Sequence, residues 1–179
     1  LYLHMKKLIF ILFLITITLS GATSAYALDW SVLQSGIDND FNSVACPEAR
    51  TCYVVGGAPF IGGNGVVLKT VNGGESWQRQ TIPVTSPLRG ISCLNVSMCY
   101  AAGDGGALLK TTNGGTTWVR LGMNTTAADQ YYWDIAAFNA SNATAVGNAG
   151  VIYRTTNGGT TWTRVDSGTV NNLHGVFFA

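Results

Sequence analysis

Hydrolysis by general acid and base needs two titratable groups held at a set distance, and this chain offers few candidates. Its glutamates are Glu48, in a loop, and Glu75, inside a turn, and neither lies where strands converge. Arg79, Arg120 and Arg164 each follow a tryptophan by two residues. That is a repeat feature rather than an anion-binding cluster, and it predicts each guanidinium stacked on its tryptophan. The stretch Asp38-Asn39-Asp40-Phe41-Asn42 superficially suits calcium, but Ser43 stands where glycine is required and Ala49 where a bidentate glutamate should be. A solvated turn is the better account. The histidines are His4 and His174, so zinc has no ordinary ligand set. We assign no catalytic residue, no metal and no cofactor.

The cysteines carry a clearer chemistry. Cys46 and Cys52 are six apart, as are Cys93 and Cys99, and the third repeat has Ala137 and Ala143 at those positions. Two cysteines absent together are partners, and each pair can bridge neighbouring strands across a five-residue loop. Disulfides are expected over zinc.

Candidate ligand-binding residues come from the position that leads into the first strand of each repeat: Asn42, Arg89, Trp133 and His174. These align, yet their types differ while the framework beside them repeats. Tyr131 and Tyr132 next to Trp133 would add an aromatic face suited to a peptide or a sugar. The competing reading is that the positions vary because nothing depends on them. The Asn-x-Ser/Thr triplets at Asn95, Asn124, Asn139 and Asn142 are possible glycan acceptors that this composition also yields by chance.

These residues hang on a repeated octapeptide: Thr70-Val-Asn-Gly-Gly-Glu-Ser-Trp77, Thr111-Thr-Asn-Gly-Gly-Thr-Thr-Trp118 and Thr155-Thr-Asn-Gly-Gly-Thr-Thr-Trp162. Each follows a short apolar run ending in a base and precedes a short polar-apolar run, which reads as strand, turn, strand. The structural residues are Asn72, Gly74 and Trp77, then Asn113, Gly115 and Trp118, then Asn157, Gly159 and Trp162. The Asn-Gly pair is expected to supply positive φ angles to a tight hairpin, and the tryptophan to cover the groove between units. Upstream come Cys52-Tyr-Val-Val-Gly, Cys99-Tyr-Ala-Ala-Gly and Ala143-Thr-Ala-Val-Gly, with small residues where neighbouring sheets must approach.

The motif tryptophans recur 41 and 44 residues apart. A period of roughly 40 to 50 residues with four strands marks a propeller blade. The fold class is all-β: a β-propeller of four-stranded antiparallel blades, with repeats at about 41–81, 88–121 and 132–166 and the start of a fourth at 173–179. Residues 28–36, around Trp30, resemble a last strand without its blade, as used to close a ring. About three and a half units fit between Leu28 and Ala179, fewer than a closed propeller needs, so the expectation is a partial propeller from a truncated reading frame. The alternative is an open arc that closes by self-association.

Met5-Lys6-Lys7, an uncharged run from Leu8 to Leu19, and Ala25-Tyr26-Ala27 follow the order of a secretory signal peptide. The run is shorter than the about 20 residues that span a bilayer, and cleavage is expected after Ala27. Leu1 to His4 precede Met5 and read as upstream translation. Loss of Lys6 and Lys7 turns a net charge of +1 into −1, which leaves no electrostatic footprint for nucleic acid. Export also places the cysteines in an oxidising compartment.

With asparagine where aspartate is usual, the Thr-x-Asn-x-Gly-x-[Ser/Thr]-Trp pattern resembles the Asp-box, or bacterial neuraminidase repeat. The whole unit resembles the photosystem II assembly and stability factor-like family of propellers. That resemblance implies an exported propeller, seven-bladed in the photosynthetic members, that holds newly made reaction-centre subunits. Asp-boxes also occur in sialidases and sortilin-type receptors. The function expected is therefore a non-enzymatic module, exported to the periplasm, cell surface or medium, that binds a protein or glycan and does not span the membrane after cleavage. The alternative is an Asp-box glycosidase whose catalytic blades lie elsewhere.

Overall fold

The computed structural model describes residues 35–36, 39–57, 64–122 and 131–178. The signal segment, most of the strand expected over 28–36, and Asn124 lie outside them. The first sheet contains β1 (Phe41–Glu48), β2 (Thr51–Gly57), β3 (Gly65–Thr70) and β4 (Gln78–Arg79). β5 (Leu88–Cys93), β6 (Cys99–Gly103), β7 (Leu108–Thr111) and β8 (Val119–Arg120) form the second. The third holds β9 (Tyr132–Ala137), β10 (Ala143–Gly147), β11 (Ile152–Thr155) and β12 (Thr163–Val165). Each sheet is antiparallel with its strands in chain order. They are three blades of a partial β-propeller, with β5 packed against both β1 and β9.

The period of two decides where the core sits, because alternate side chains of one strand serve two different seams. From blade 1, Tyr53, Val55 and Val67 face Leu88, Ile91, Ala101, Leu109 and Trp118 of blade 2. From blade 2, Tyr100, Ala102 and Leu108 face Tyr132, Ile135, Ala145, Tyr153 and Trp162 of blade 3. Every residue of β2 and β6 is buried, so a single blade would expose half its core. Burial of each large aliphatic chain contributes about 1.5–3 kcal/mol, which makes the seams the main source of stability.

Glycine ends each second strand for a reason of space. The chain shifts register at that point, and a Cβ on Gly103 would meet the Pro87 carbonyl oxygen, while one on Gly147 would meet that of Tyr131. Both glycines have extended backbones, so close approach rather than φ requires them.

The octapeptide works differently from the expected Asn-Gly turn. Both glycines carry the positive φ, 68° and 84° at Gly114 and Gly115, and the asparagine does not. Asn113 instead is the hub of a seven-residue loop: its Oδ1 accepts from Thr111 Oγ1 and the Thr117 N–H, and its Nδ2 donates to Thr117 Oγ1. Thr111 Oγ1 also accepts from the Gly115 N–H. Asn72 and Asn157 repeat the arrangement.

Trp118 and Trp162 turn into the seams. Trp118 meets Tyr53 of the preceding blade edge-on, with centroids 6.4 Å apart. The Nε1 atoms of Trp118 and Trp162 are buried without a hydrogen-bond partner among the described residues, so packing rather than hydrogen bonding holds these rings. The arginine stacking expected on them is not the contact made. Arg120 instead lies 3.5 Å from the Gly105 carbonyl, because following the tryptophan inward would strip a guanidinium of water.

Disulfides join Cys46 to Cys52 and Cys93 to Cys99, tying first strand to second with Cα atoms 4.0 Å apart. Residues 173–178, expected to open a fourth repeat, form no strand, since none of the described residues pairs with them in a ladder. Leu173 donates to the Gly147 carbonyl, and the Val176 N–H to Asp134 Oδ2.

Candidate functional site

Asn42, Arg89 and Trp133 are the second residues of β1, β5 and β9. Because those strands lie side by side, residues more than forty positions apart become neighbours. Asn42 Nδ2 crosses the seam to the Leu88 carbonyl at 2.8 Å. The Arg89 guanidinium sits 5.2 Å from the Trp133 ring centre, and Trp133 sits 5.1 Å from the His174 ring. Arg89, Trp133 and His174 thus form one ladder across the heads of successive inner strands, and Asn42 is bonded to the backbone next to its first rung.

Each central rung is tied to its own blade by a partner 15 residues on. Arg89 Nε and Nη2 donate to Asp104 Oδ1 and Oδ2 at 2.9 and 2.7 Å, and Trp133 Nε1 donates to Asn148 Oδ1 at 2.6 Å. Asp104 and Asn148 open equivalent 3-10 turns, Asp104–Gly106 and Asn148–Gly150. Blade 1 has Gly57 at that place, which has no side chain to offer Asn42. Hydrogen bonding to Asp104 raises the Arg89 pKa against the opposing effect of burial, so the guanidinium keeps its charge.

The strand alternation divides the expected aromatic face. Tyr131 is 42% exposed, but Tyr132 is 0% exposed and edge-on to Tyr153 in the core, so it is not a ligand contact. Burial, with a smaller electrostatic contribution from Tyr153, raises its pKa. Trp133 is flanked by Arg89 and His174 rather than presenting an open ring. The accessible groups at this rim are Asn42, Tyr131 and His174, with Trp133 half-buried between its neighbours.

No acid–base pair emerges here. Asp104 is engaged by Arg89, and Asp134 accepts from the Ile135 and Val176 N–H groups. Among the described residues no group of three His, Cys, Asp or Glu is placed to hold a metal. A cavity of about 250 Å³ beside residues 82–86, Ala107 and Arg120 lies apart from the ladder and holds one charged side chain, Arg120. The rim can stack and hydrogen-bond, which suits recognition.

Sequence reasoning missed the side chains that lock one blade to the next. Tyr53 and Tyr100 donate to the Val96 and Ala140 carbonyls, while Lys69 and Lys110 donate to those of Gly114 and Gly158. The repeated Cys-Tyr and the base ending each third strand were the available signals. The 15-residue offset from Arg89 to Asp104 and from Trp133 to Asn148 was another.

The family described as Photosynthesis system II assembly factor YCF48 matches residues 22–177. The chain belongs to this family. Among curated proteins none matches the sequence. Of solved structures, YCF48 bound to D1 peptide superposes with a TM-score of 0.66 at 19% identity, over 79% of this chain and 44% of that one. YCF48 from Cyanidioschyzon merolae gives 0.57 at 22% identity, over 70% and 37%. The GH74 enzyme of Niastella koreensis gives 0.56 at 20% identity, over 73% and 23%. The chain thus spans less than half of either YCF48 structure. At these identities the likeness is one of fold, and the YCF48 family and GH74 enzymes share the bladed architecture.

Proposed function

We propose that this chain is an exported, non-enzymatic propeller module that holds a protein partner at the rim built by Asn42, Arg89, Trp133 and His174. One observation carries the reading: at equivalent positions of unlike type, Arg89, Trp133 and His174 stack in series with Asn42 bonded to the backbone beside Arg89, while the surrounding framework repeats. Membership of the YCF48 family, one of whose members is described as bound to D1 peptide, supports a peptide as the occupant. Export through residues 1–27, with cleavage after Ala27, belongs to the same reading and is checked by sequencing the mature N-terminus.

The test is calorimetric titration with a synthetic D1 peptide. Saturable binding should be lost in Arg89→Ala and in His174→Ala, with circular dichroism unchanged. Absence of binding, or binding indifferent to both substitutions, would sink this placement. Saturable binding of xyloglucan in place of the peptide would shift the reading to a glycan partner.

A further inference from the structure

Asparagine followed by glycine is the backbone sequence most prone to deamidation. The glycine nitrogen attacks the asparagine Cγ and ammonia leaves. Water then opens the resulting succinimide to aspartate or isoaspartate. Four such pairs occur in this chain, at residues 64–65, 72–73, 113–114 and 157–158, and two of them sit in identical octapeptides, at Asn113–Gly114 and Asn157–Gly158, with both asparagines exposed. Both pairs are guarded in the same way. The nucleophilic nitrogen donates away from the side chain, Gly114 N–H to the Ser97 carbonyl at 2.9 Å and Gly158 N–H to that of Ser141 at 2.8 Å. The asparagine side chain is turned to its threonines in both copies. Lys69 and Lys110 clasp the Gly114 and Gly158 carbonyls at 2.8 Å.

Even the guarding loops match. Asn95 Oδ1 accepts from the Ser97 and Met98 N–H groups, and Asn139 Oδ1 from those of Ser141 and Asn142, all at 2.9 Å. Two differences remain: the loop over Gly114 is closed by the Cys93–Cys99 disulfide, while the loop over Gly158 has Ala137 and Ala143 and only a further hydrogen bond, from Asn142 Nδ2 to Asn139 Oδ1 at 2.9 Å.

We propose that Asn157 deamidates faster than Asn113 in the folded chain, because the Cys93–Cys99 disulfide withholds the reaction from Asn113. Attack requires the guarding loop to move off the glycine nitrogen, a local opening that a cross-link at the loop's base restrains. An aspartate formed in place keeps the acceptor contacts of the asparagine, with the Thr161 hydroxyl turning to donate. An isoaspartate lengthens the backbone and breaks the loop.

Trypsin releases the two sites as separate peptides, residues 111–120 and 155–164, so one mass-spectrometric time course at mildly alkaline pH reads both. In the folded, oxidised chain, conversion at Asn157 should exceed that at Asn113 on the order of tenfold, the scale on which a short cross-link shifts a local opening. In denaturant the two should be equal. Cys93→Ala with Cys99→Ala, checked for retained fold, should raise the Asn113 rate to that of Asn157. Ala137→Cys with Ala143→Cys, which moves the cross-link to blade 3, should slow Asn157 should the first pair fail to fold. Equal rates in the oxidised chain, or faster reaction at Asn113, would overturn the proposal. So would a gap that survives removal of the disulfide.

Discussion

The ammonium of Lys69 donates to the Gly114 carbonyl of the next blade at 2.8 Å and lies 5.3 Å from the ring centre of Tyr53, its cross-strand neighbour. Lys110, Gly158 and Tyr100 repeat the relationship one seam further on. Each cation is thus shared between a ring on its own sheet and a carbonyl on the next. Lys110→Met keeps the aliphatic stem and removes both contacts, so it should cost about 1–2 kcal/mol in denaturant unfolding. Loss of less than a few tenths would show the clasp to be incidental.

Gly147→Ala should destabilise by about 2–3 kcal/mol, since its Cβ would strike the Tyr131 carbonyl, a backbone atom unable to step aside. Gly122→Ala is the control: nothing lies within 4 Å of its Cβ, and it should stay within about 0.5 kcal/mol. Equal thermal shifts for the two would refute the steric account.

Asp104→Asn removes the charged partner of Arg89 at a site where both side chains are mostly buried, 22% and 14% exposed. The expected loss is about 1–2 kcal/mol, below that of a fully buried pair. Trp133 emission should change as the guanidinium leaves its ring. Unchanged fluorescence with unchanged stability would mean that Asp104 does not position Arg89.

Alkaline stability should follow the core tyrosines. Burial raises the pKa of both Tyr53 and Tyr132, so the native state keeps protons that the unfolded chain releases. The contribution is therefore fully present below the unfolded value of about 10 and falls above it, by up to ~1.4 kcal/mol per pH unit for each tyrosine. Tyr132→Phe should flatten that decline in pH-dependent denaturant melts, and an identical slope would refute the assignment.

The bladed fold was legible because it is written in repetition. Tryptophans 41 and 44 residues apart, a glycine closing each second strand and cysteines lost in pairs each report a local constraint with a local cause. The role of asparagine in the octapeptide was less legible. Whether a turn asparagine adopts positive φ or bonds to its threonines depends on where the two glycines take the chain.

What the sequence determined alone was which residues must be equivalent: strand order, disulfide partners and the four lead positions all follow from matching one repeat to the next. What only the tertiary structure decided was which of them touch. Arg89 meets Trp133, and Trp133 meets His174, across seams that bring together residues more than forty positions apart. Tyr132 is withdrawn from its neighbours into the core by the alternation of one strand. Periodicity is a property of the chain and can be read along it. Contact across a seam depends on the angle at which whole blades pack, a property of many side chains at once.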